Sequence, residues 1–324
     1  MVADGGQIGM GSTVEHRSTL PPSALLGDAS RRRKETRVRL LLVTAAGVSI
    51  VVALAILVAL VGRGVGFLAE TDLSALWTDG WFPRRGRFDI LTILAGSLLV
   101  SLVAMLVATP LGLGAAMYLS EYSGPRARRV LKPTLEMLAS IPSVVLGFFA
   151  LVVIQPTIVQ GLFGSTSAFS LLAAGIGVGI LMIPLVGSVA EDALRSVPRA
   201  LREAAYGIGA RRRTVTLRIV FPAAISGIVA ALILGLSRAL GETMVVAIAA
   251  GGTGGSERTF DLLGPGQTMT GAIASLAYGS DQVRAATGLN AFDSLYAVGL
   301  LLFVLTFGLN LVSERFVRKV RRAY

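Results

Sequence analysis

No cysteine occurs in the chain, and histidine occurs once, as His16. The first absence excludes disulfides, thiolate nucleophiles and cysteine-ligated metals. The second excludes a histidine-based catalytic triad and a zinc site built on several imidazoles. No glycine is followed by lysine, so the G-x-x-x-x-G-K-S/T loop that cradles a nucleotide's phosphates is missing too. If ATP drives this protein, another polypeptide hydrolyses it. Charge is also scarce. Charged residues make up 15% of the chain against 53% hydrophobic ones, and the mean hydropathy is +0.72. That balance belongs to an integral membrane protein.

A bilayer crossing needs about 20 apolar residues as helix. Six segments qualify, near Leu40–Val61, Ile90–Tyr118, Thr134–Val159, Ala168–Ala190, Ala223–Ala250 and Ala291–Ser313. The expected fold class is therefore all-α, with six transmembrane helices. Placing both termini in the cytoplasm puts 23 of the 30 Lys and Arg inside, as the positive-inside rule requires. This topology, with anionic lipid, accounts for the net charge of +11, and no nucleic-acid partner is needed. Residues 1–39 read as a basic cytoplasmic tail, mobile over residues 1–30, which are rich in Gly, Ser and Pro. Residues 40–324 read as the membrane domain, with a cytoplasmic loop near 191–222. The first apolar stretch ends without a small-x-small cleavage site and is expected to be retained.

That loop is arginine-rich, yet it carries apolar residues at helical spacing. Leu201, Ala204, Ala205 and Ile208 form one stripe, and Val215 and Ile219 restart another before Pro222. Gly207 and Gly209 permit a sharp bend between two brief helices. A basic loop obeying the charge rule is one reading. A docking surface is the other, and only the second has use for an apolar stripe.

The costliest residues in the spans are Arg238 and Glu242. Counted from Ala223 at ~1.5 Å per residue, Arg238 lies roughly 22 Å into the fifth span, and Glu242 falls on the same face of a continuous helix. Each charge costs about 2.5–3.5 kcal/mol at a helix centre. Mutual neutralisation is one explanation; an aqueous pathway for an anion is the other. Gly227, Ala231, Gly235, Val245 and Ala249 continue that face in small residues and should meet protein. Gly175-x-x-x-Gly179 reads as helix packing. Pro110, Pro142, Pro156 and Pro184 are expected to bend or break their helices, most of all in Ser140-Ile-Pro-Ser143. Trp77, Trp81 and Phe82 read as an interfacial cluster on an outer loop.

The spacing E-A-A-x-x-x-G-x9-I-x-L/F-P, filled by Glu203, Ala204, Ala205, Gly209, Ile219 and Pro222, resembles the signature of ABC importer permeases. Phe221 takes the place of the commoner leucine. Within that family, Ser140–Leu151 and Arg238-Ala-Leu-Gly-Glu-Thr-Met244 resemble the third- and fifth-span signatures of phosphate-uptake permeases of the PstC type. The resemblance runs from about Ile90 to Arg315. It implies a MetI-like permease fold whose coupling loop seats on a separate ATPase. It also implies a PstA-type second permease, two PstB-type ATPase subunits and an extracytoplasmic PstS-type phosphate-binding protein. No cofactor is expected on this chain, with ATP and Mg used by the ATPases. The resemblance places Arg238, Glu242, Thr243 and Ser143 along the translocation pathway; Arg199 and Arg202 are read either as added ATPase contacts or as part of the positive-inside bias. An importer of another oxyanion, sulfate or molybdate, stays open as an alternative. A self-sufficient channel or secondary carrier would leave the coupling-loop spacing unexplained. No catalytic constellation or metal site is expected, so the chain reads as a transporter subunit in a bacterial plasma membrane and not as an enzyme.

Overall fold

The computed structural model describes residues 29–77, 80–251, 255–278 and 291–321. Most of the tail expected over 1–39 lies outside them, but from Ala29 the chain is already helical. Helix α1, Ala29–Glu70, passes from one compact unit, Met1–Leu57, into a second, Val58–Tyr324. In the first unit every side chain from Lys34 to Ile56 is exposed. A helix that is apolar on all sides and still exposed suits lipid as its solvent.

In the second unit, a short antiparallel pair, β1 (Trp81–Phe82) and β2 (Arg87–Phe88), precedes α2, Ile90–Met117. A π-helical turn, Tyr118–Tyr122, ends α2. Next come α3 (Pro125–Leu138), α4 (Ser143–Phe149, running on to Phe163) and α5 (Leu171–Arg195). The cytoplasmic loop forms α6 (Arg199–Gly207) and α7 (Arg212–Val215, running on to Ala223). Helices α8 (Ile225–Leu240), α9 (Met244–Ala249), α10 (Met269–Tyr278) and α11 (Ser294–Arg321) complete the order. Among the described residues, five helices are long and apolar enough to span a bilayer. Counting the pair Arg212–Ala223 and Ile225–Leu240, bent by 70° between them, as one broken span brings the number to six.

Helix α5 is the hub. Val178, Met182 and Val186 pack with Val100, Ala104 and Ala108 of α2, with Leu146 of α4, and with Val245 and Ala249 of α9. Gly175 and Gly179 make this possible. A Cβ would lie 2.6 Å from Val103 at the first and 2.8 Å from Val107 at the second, so the pair packs α5 against α2 as expected. The small residues Gly227, Ala231 and Gly235 of α8 also meet protein: a Cβ on Gly235 would come within 2.8 Å of Val186, and one on Gly227 within 2.4 Å of Ala193.

Three expectations need correcting. The third span does not begin at Thr134. Helix α3 stops at Leu138, Pro142 stands before α4, and the spanning helix starts at Ser143. Proline has no N–H to continue a helix and disfavours helical backbone at Ile141 before it. The fifth span does not run unbroken from Ala223 to Ala250, because Gly241, Glu242 and Thr243 interrupt it between α8 and α9. The aromatic cluster splits, with Trp77 61% exposed and Trp81 only 1%. The β1–β2 turn folds Trp81 against Phe88, ring centroids 6.0 Å apart, and Phe88 against Phe67 at 5.0 Å.

A buried ion pair fastens the outer segment after α9 to this unit. Asp89 caps α2 by accepting from Leu91 N at 3.2 Å and Thr92 Oγ1 at 2.6 Å, and it also pairs with Arg258 at 2.9 Å. The carboxylate has no exposure, and these donors take the place of water around it.

Candidate functional site: the coupling loop and the broken fifth span

Helix α6 has two unlike faces. Ala205 is buried, packed with Leu194, Val197, Val215 and Ile228. Leu201, Glu203, Ala204 and Tyr206 are exposed, and Ile208 is 86% exposed. The helix ends in a Schellman motif: Gly209 N donates to Tyr206 O at 2.9 Å and Ala210 N to Ala205 O at 3.1 Å. Gly209 sits at φ +80°, the left-handed conformation this motif requires and glycine adopts at least cost. The glycine of the signature is therefore the hinge that returns the chain to α7. Ile219 is half-buried in the same cluster as Ala205, and exposed Pro222 precedes the 70° bend into α8.

Arg202 does not project outward to a partner. Its Nη2 meets Glu121 Oε1 at 2.9 Å and Leu194 O at 2.8 Å, and its Nη1 meets Val197 O at 2.6 Å. The backbone oxygen of Glu121 accepts from Arg212 of α7, whose guanidinium lies 5.0 Å from the Tyr122 ring centroid. One residue at the end of the second span thus holds both helices of the loop. Arg199 remains exposed.

A second buried carboxylate backs this arrangement. Glu191 of α5 has no exposure, and it pairs with Arg128 at 2.5 Å and Lys132 at 2.7 Å, both on α3, with Arg195 at 3.8 Å. A carboxylate near a helix C-terminus opposes the helix dipole, so the surrounding cations make the position tenable. The Lys132 ammonium is held above its ordinary pKa, chiefly by the hydrogen bond to Glu191, while burial works in the opposite direction. Sequence reasoning did not single out Glu121 or Glu191. The available signal was an acidic residue at the cytoplasmic end of an apolar run, beside an arginine-rich segment.

At the other end of the fifth span, Arg238 lies in the last turn of α8 and is exposed. It forms no ion pair with Glu242 among the described residues. The expectation that they share one helix face fails because α8 ends between them. Glu242 Oε1 instead accepts from Thr243 N and Met244 N, each at 3.2 Å, so it caps the start of α9. Thr243 donates to Gly241 O at 3.3 Å, and Thr270 of α10 donates to Glu242 O at 2.8 Å. Ser143 opens α4, which packs on α9: a Cβ on Gly147 would lie 3.0 Å from the Val245 Cα. The fold therefore brings the helix starting at Ser143 against the helix starting after Thr243, while Arg238 stands apart on α8.

Comparison with known proteins places these features in a family. Residues 108–322 match the model of the binding-protein-dependent transport system inner membrane component. The probable ABC transporter permease protein YqgH of Bacillus subtilis is 32% identical, covering 91% of this chain and 95% of that one. The phosphate transport system permease protein PstC of Mesorhizobium japonicum is 32% identical, covering 78% and 80%. A bacterial ABC transporter involved in import of the acidic polysaccharide alginate gives a TM-score of 0.60 at 16% identity, over 90% of this chain and 99% of that one. The MetNI methionine ABC transporter in an inward-facing conformation gives 0.53 at 19%, over 69% and 93%. Those likenesses establish the shared fold. With the family model spanning residues 108–322 and the coupling signature folded as an exposed helix on a buried anchor, the chain belongs to the binding-protein-dependent inner membrane components, the multi-pass permease subunits of ABC importers.

Proposed function

We propose that this chain is one of two permease subunits of an ATP-driven importer of inorganic phosphate. The observation that carries the importer reading is α6. Its inner side is locked by Arg202 to Glu121, and its outer side presents Glu203, Ala204, Tyr206 and Ile208 without cover. An apolar, exposed helix face on a rigid mount is built to seat in a groove of another protein. The cargo reading draws on the Mesorhizobium japonicum relative, a phosphate transport system permease, and on an exposed arginine at the end of α8.

In this reading a PstA-type permease completes the pathway, and two PstB-type ATPases dock on the coupling loops. A PstS-type binding protein delivers phosphate from outside. ATP and Mg act on the ATPases, and this chain binds neither. Closure of the ATPases pushes on α6, and the Arg202–Glu121 and Arg212–Glu121 links carry that displacement to α2. Arg238 supplies local attraction for the anion. Glu242 and Thr243 hold open the break between α8 and α9, and Ser143 lies on the helix packed against it. Passage requires binding weak enough for release, which one exposed arginine satisfies better than a ring of buried ones.

The test is co-purification with the ATPases and second permease, then ATP hydrolysis and uptake in liposomes supplied with the binding protein. Phosphate-stimulated hydrolysis coupled to phosphate uptake is expected. Stimulation by sulfate or molybdate instead would reassign the cargo, and flux through this chain alone without ATP would overturn the importer reading.

A further inference from the structure

Beside α6, the π-helical turn after α2 and the end of α5 meet the starts of α3 and α6 around a half-open cavity of about 500 Å³. That volume falls within the roughly 300–1,000 Å³ of small-molecule sites. Arg128 of α3, Arg195 of α5, and Arg199 and Arg202 of α6 all line it, and Glu121 is the one carboxylate among them. None of the lining residues belongs to α8 or α9, so the cavity is separate from the broken fifth span.

The four arginines are unequally occupied. Arg202 is spent, since Nε, Nη1 and Nη2 all donate to Glu121 or to backbone oxygens. Arg128 commits Nε and Nη2 to Glu191 and leaves Nη1 unused, with 28% of its side chain exposed. Arg195 is 43% exposed, and its Nη1 stands 3.8 Å from Glu191, beyond hydrogen-bond reach. Arg199 is exposed, and among the described residues neither it nor Arg195 finds a side-chain acceptor. Glu121 does little to oppose an anion. It is only 5% exposed, and Oε1 already accepts from Arg202 and from Ser120 Oγ. Four guanidiniums thus stand against the carboxylates of Glu121 and Glu191, while Lys132 and Asp192 balance one another at 3.0 Å. The surplus is two positive charges. Helices α3 and α6 both start at this cavity with no side chain capping the first turn, which adds to the attraction for an anion.

We propose that this cavity binds a phosphate group, with Arg195 and Arg199 as its principal donors and Arg128 Nη1 and the Tyr206 hydroxyl completing the site. Guanidinium is the side chain whose planar fork matches phosphate oxygens two at a time, and a phosphate dianion matches the surplus charge. The bound group would join α3, α5 and α6, and so add a ligand link to the contacts that hold α6 in place. The inference does not rest on phosphate being the cargo. Two sources present this chemistry on the cytoplasmic side. One is free inorganic phosphate. The other is the headgroup of an anionic phospholipid, because the spanning helices Ile90–Tyr122 and Leu171–Arg195 both end at the cavity, and basic pockets between spanning helices suit such headgroups.

The experiment places fluorotyrosine at position 206, which lines the cavity, in the full-length chain within its assembled complex. The complex is delipidated and held in maltoside detergent, which contains no phosphate. Its fluorine resonance is followed during titration with inorganic phosphate, with chloride at matched ionic strength as the blank, and separately with phosphatidylglycerol. A saturable shift is expected, and the probe that produces it identifies the source as free phosphate, lipid headgroup or both. Arg195→Gln combined with Arg199→Gln should weaken that response about tenfold or more. Arg129→Gln combined with Arg218→Gln removes the same charge from exposed positions that do not line the cavity, and should leave the response intact. Silence toward both probes would overturn the site. So would an undiminished response in the first pair, or an equal loss in the second, which would reduce the effect to general charge. Should the first pair fail to assemble, Arg199→Gln alone, a change at an exposed side chain, is read in its place against the same blank.

Discussion

Arg202 and Glu121 meet at 2.9 Å beneath α6, 81 residues apart in sequence. The arginine immediately before Glu203 thus anchors α6 to the end of α2 and does not form part of its outer face. Arg202 also satisfies two carbonyls, Val197 O and Leu194 O, so its removal strands several polar groups together.

Arg202→Met should destabilise the subunit by about 3–5 kcal/mol, because it leaves the Glu121 carboxylate buried without its cation. Pairing it with Glu121→Gln should recover part of the loss, since the stranded charge is then gone. Thermal unfolding of the four proteins of this double-mutant cycle reads the coupling. Purely additive losses would count against the mount.

The outward face should behave in the opposite manner. Ile208→Asp changes an 86% exposed side chain, so stability should move by no more than about 0.5 kcal/mol. Co-purification of the ATPases should nevertheless fall sharply. Glu203→Ala should weaken docking or separate ATP hydrolysis from uptake. Both variants retaining tightly coupled transport would remove α6 as the docking element.

Gly209 gives a backbone test of the same loop. At φ +80° an L side chain costs about 1–2 kcal/mol, and alanine there should either strain the Schellman turn or re-aim α7. Gly209→Ala is expected to impair ATPase docking more than Gly209→Asn, because asparagine tolerates this conformation better. Equal behaviour of the two would show that the turn's geometry does not govern docking.

The Glu191 cluster carries a pH signature of known sign. Lys132 has its pKa raised by Glu191. Its contribution is therefore fully present below the ordinary lysine value of about 10.4 and is lost as pH rises through the higher folded value. The stability gap between wild type and Lys132→Met should stay level across the neutral range and close only in strong alkali. A gap that changed near neutral pH would implicate a different group.

Sequence legibility followed the range of the interactions. Long apolar runs placed the spans, since bilayer thickness acts on local composition alone. The E-A-A-to-Pro222 spacing marks out the segment that folds as α6 and α7, since it is written within one short stretch of chain. The roles of Glu121 and Glu191 were not legible, because their cations arrive from positions 81 and 63 residues away. The break at Gly241–Thr243 was hidden for a different reason. At i+4 Glu242 reads as Arg238's partner on one helix face, and nothing local announces that its carboxylate turns to the backbone of α9. Trp81 reads as interfacial from its neighbours in sequence, but the β1–β2 turn folds it inward onto Phe88.

That break sharpens what Arg238→Gln should do. Arg238 is exposed and forms no ion pair with Glu242 among the described residues, so removing its charge leaves no buried carboxylate stranded. Subunit stability should change by no more than about 0.5 kcal/mol, and assembly with the ATPases should persist. Phosphate uptake in liposomes should nonetheless be lost, and Arg238→Lys, which keeps the charge without the planar guanidinium, should retain part of it. Had the two residues formed a self-neutralising pair in one helix, Arg238→Gln would instead destabilise the fold and Glu242→Gln would rescue it. Normal uptake by Arg238→Gln would take this arginine out of the pathway. Loss of uptake together with loss of folding would return it to a structural role.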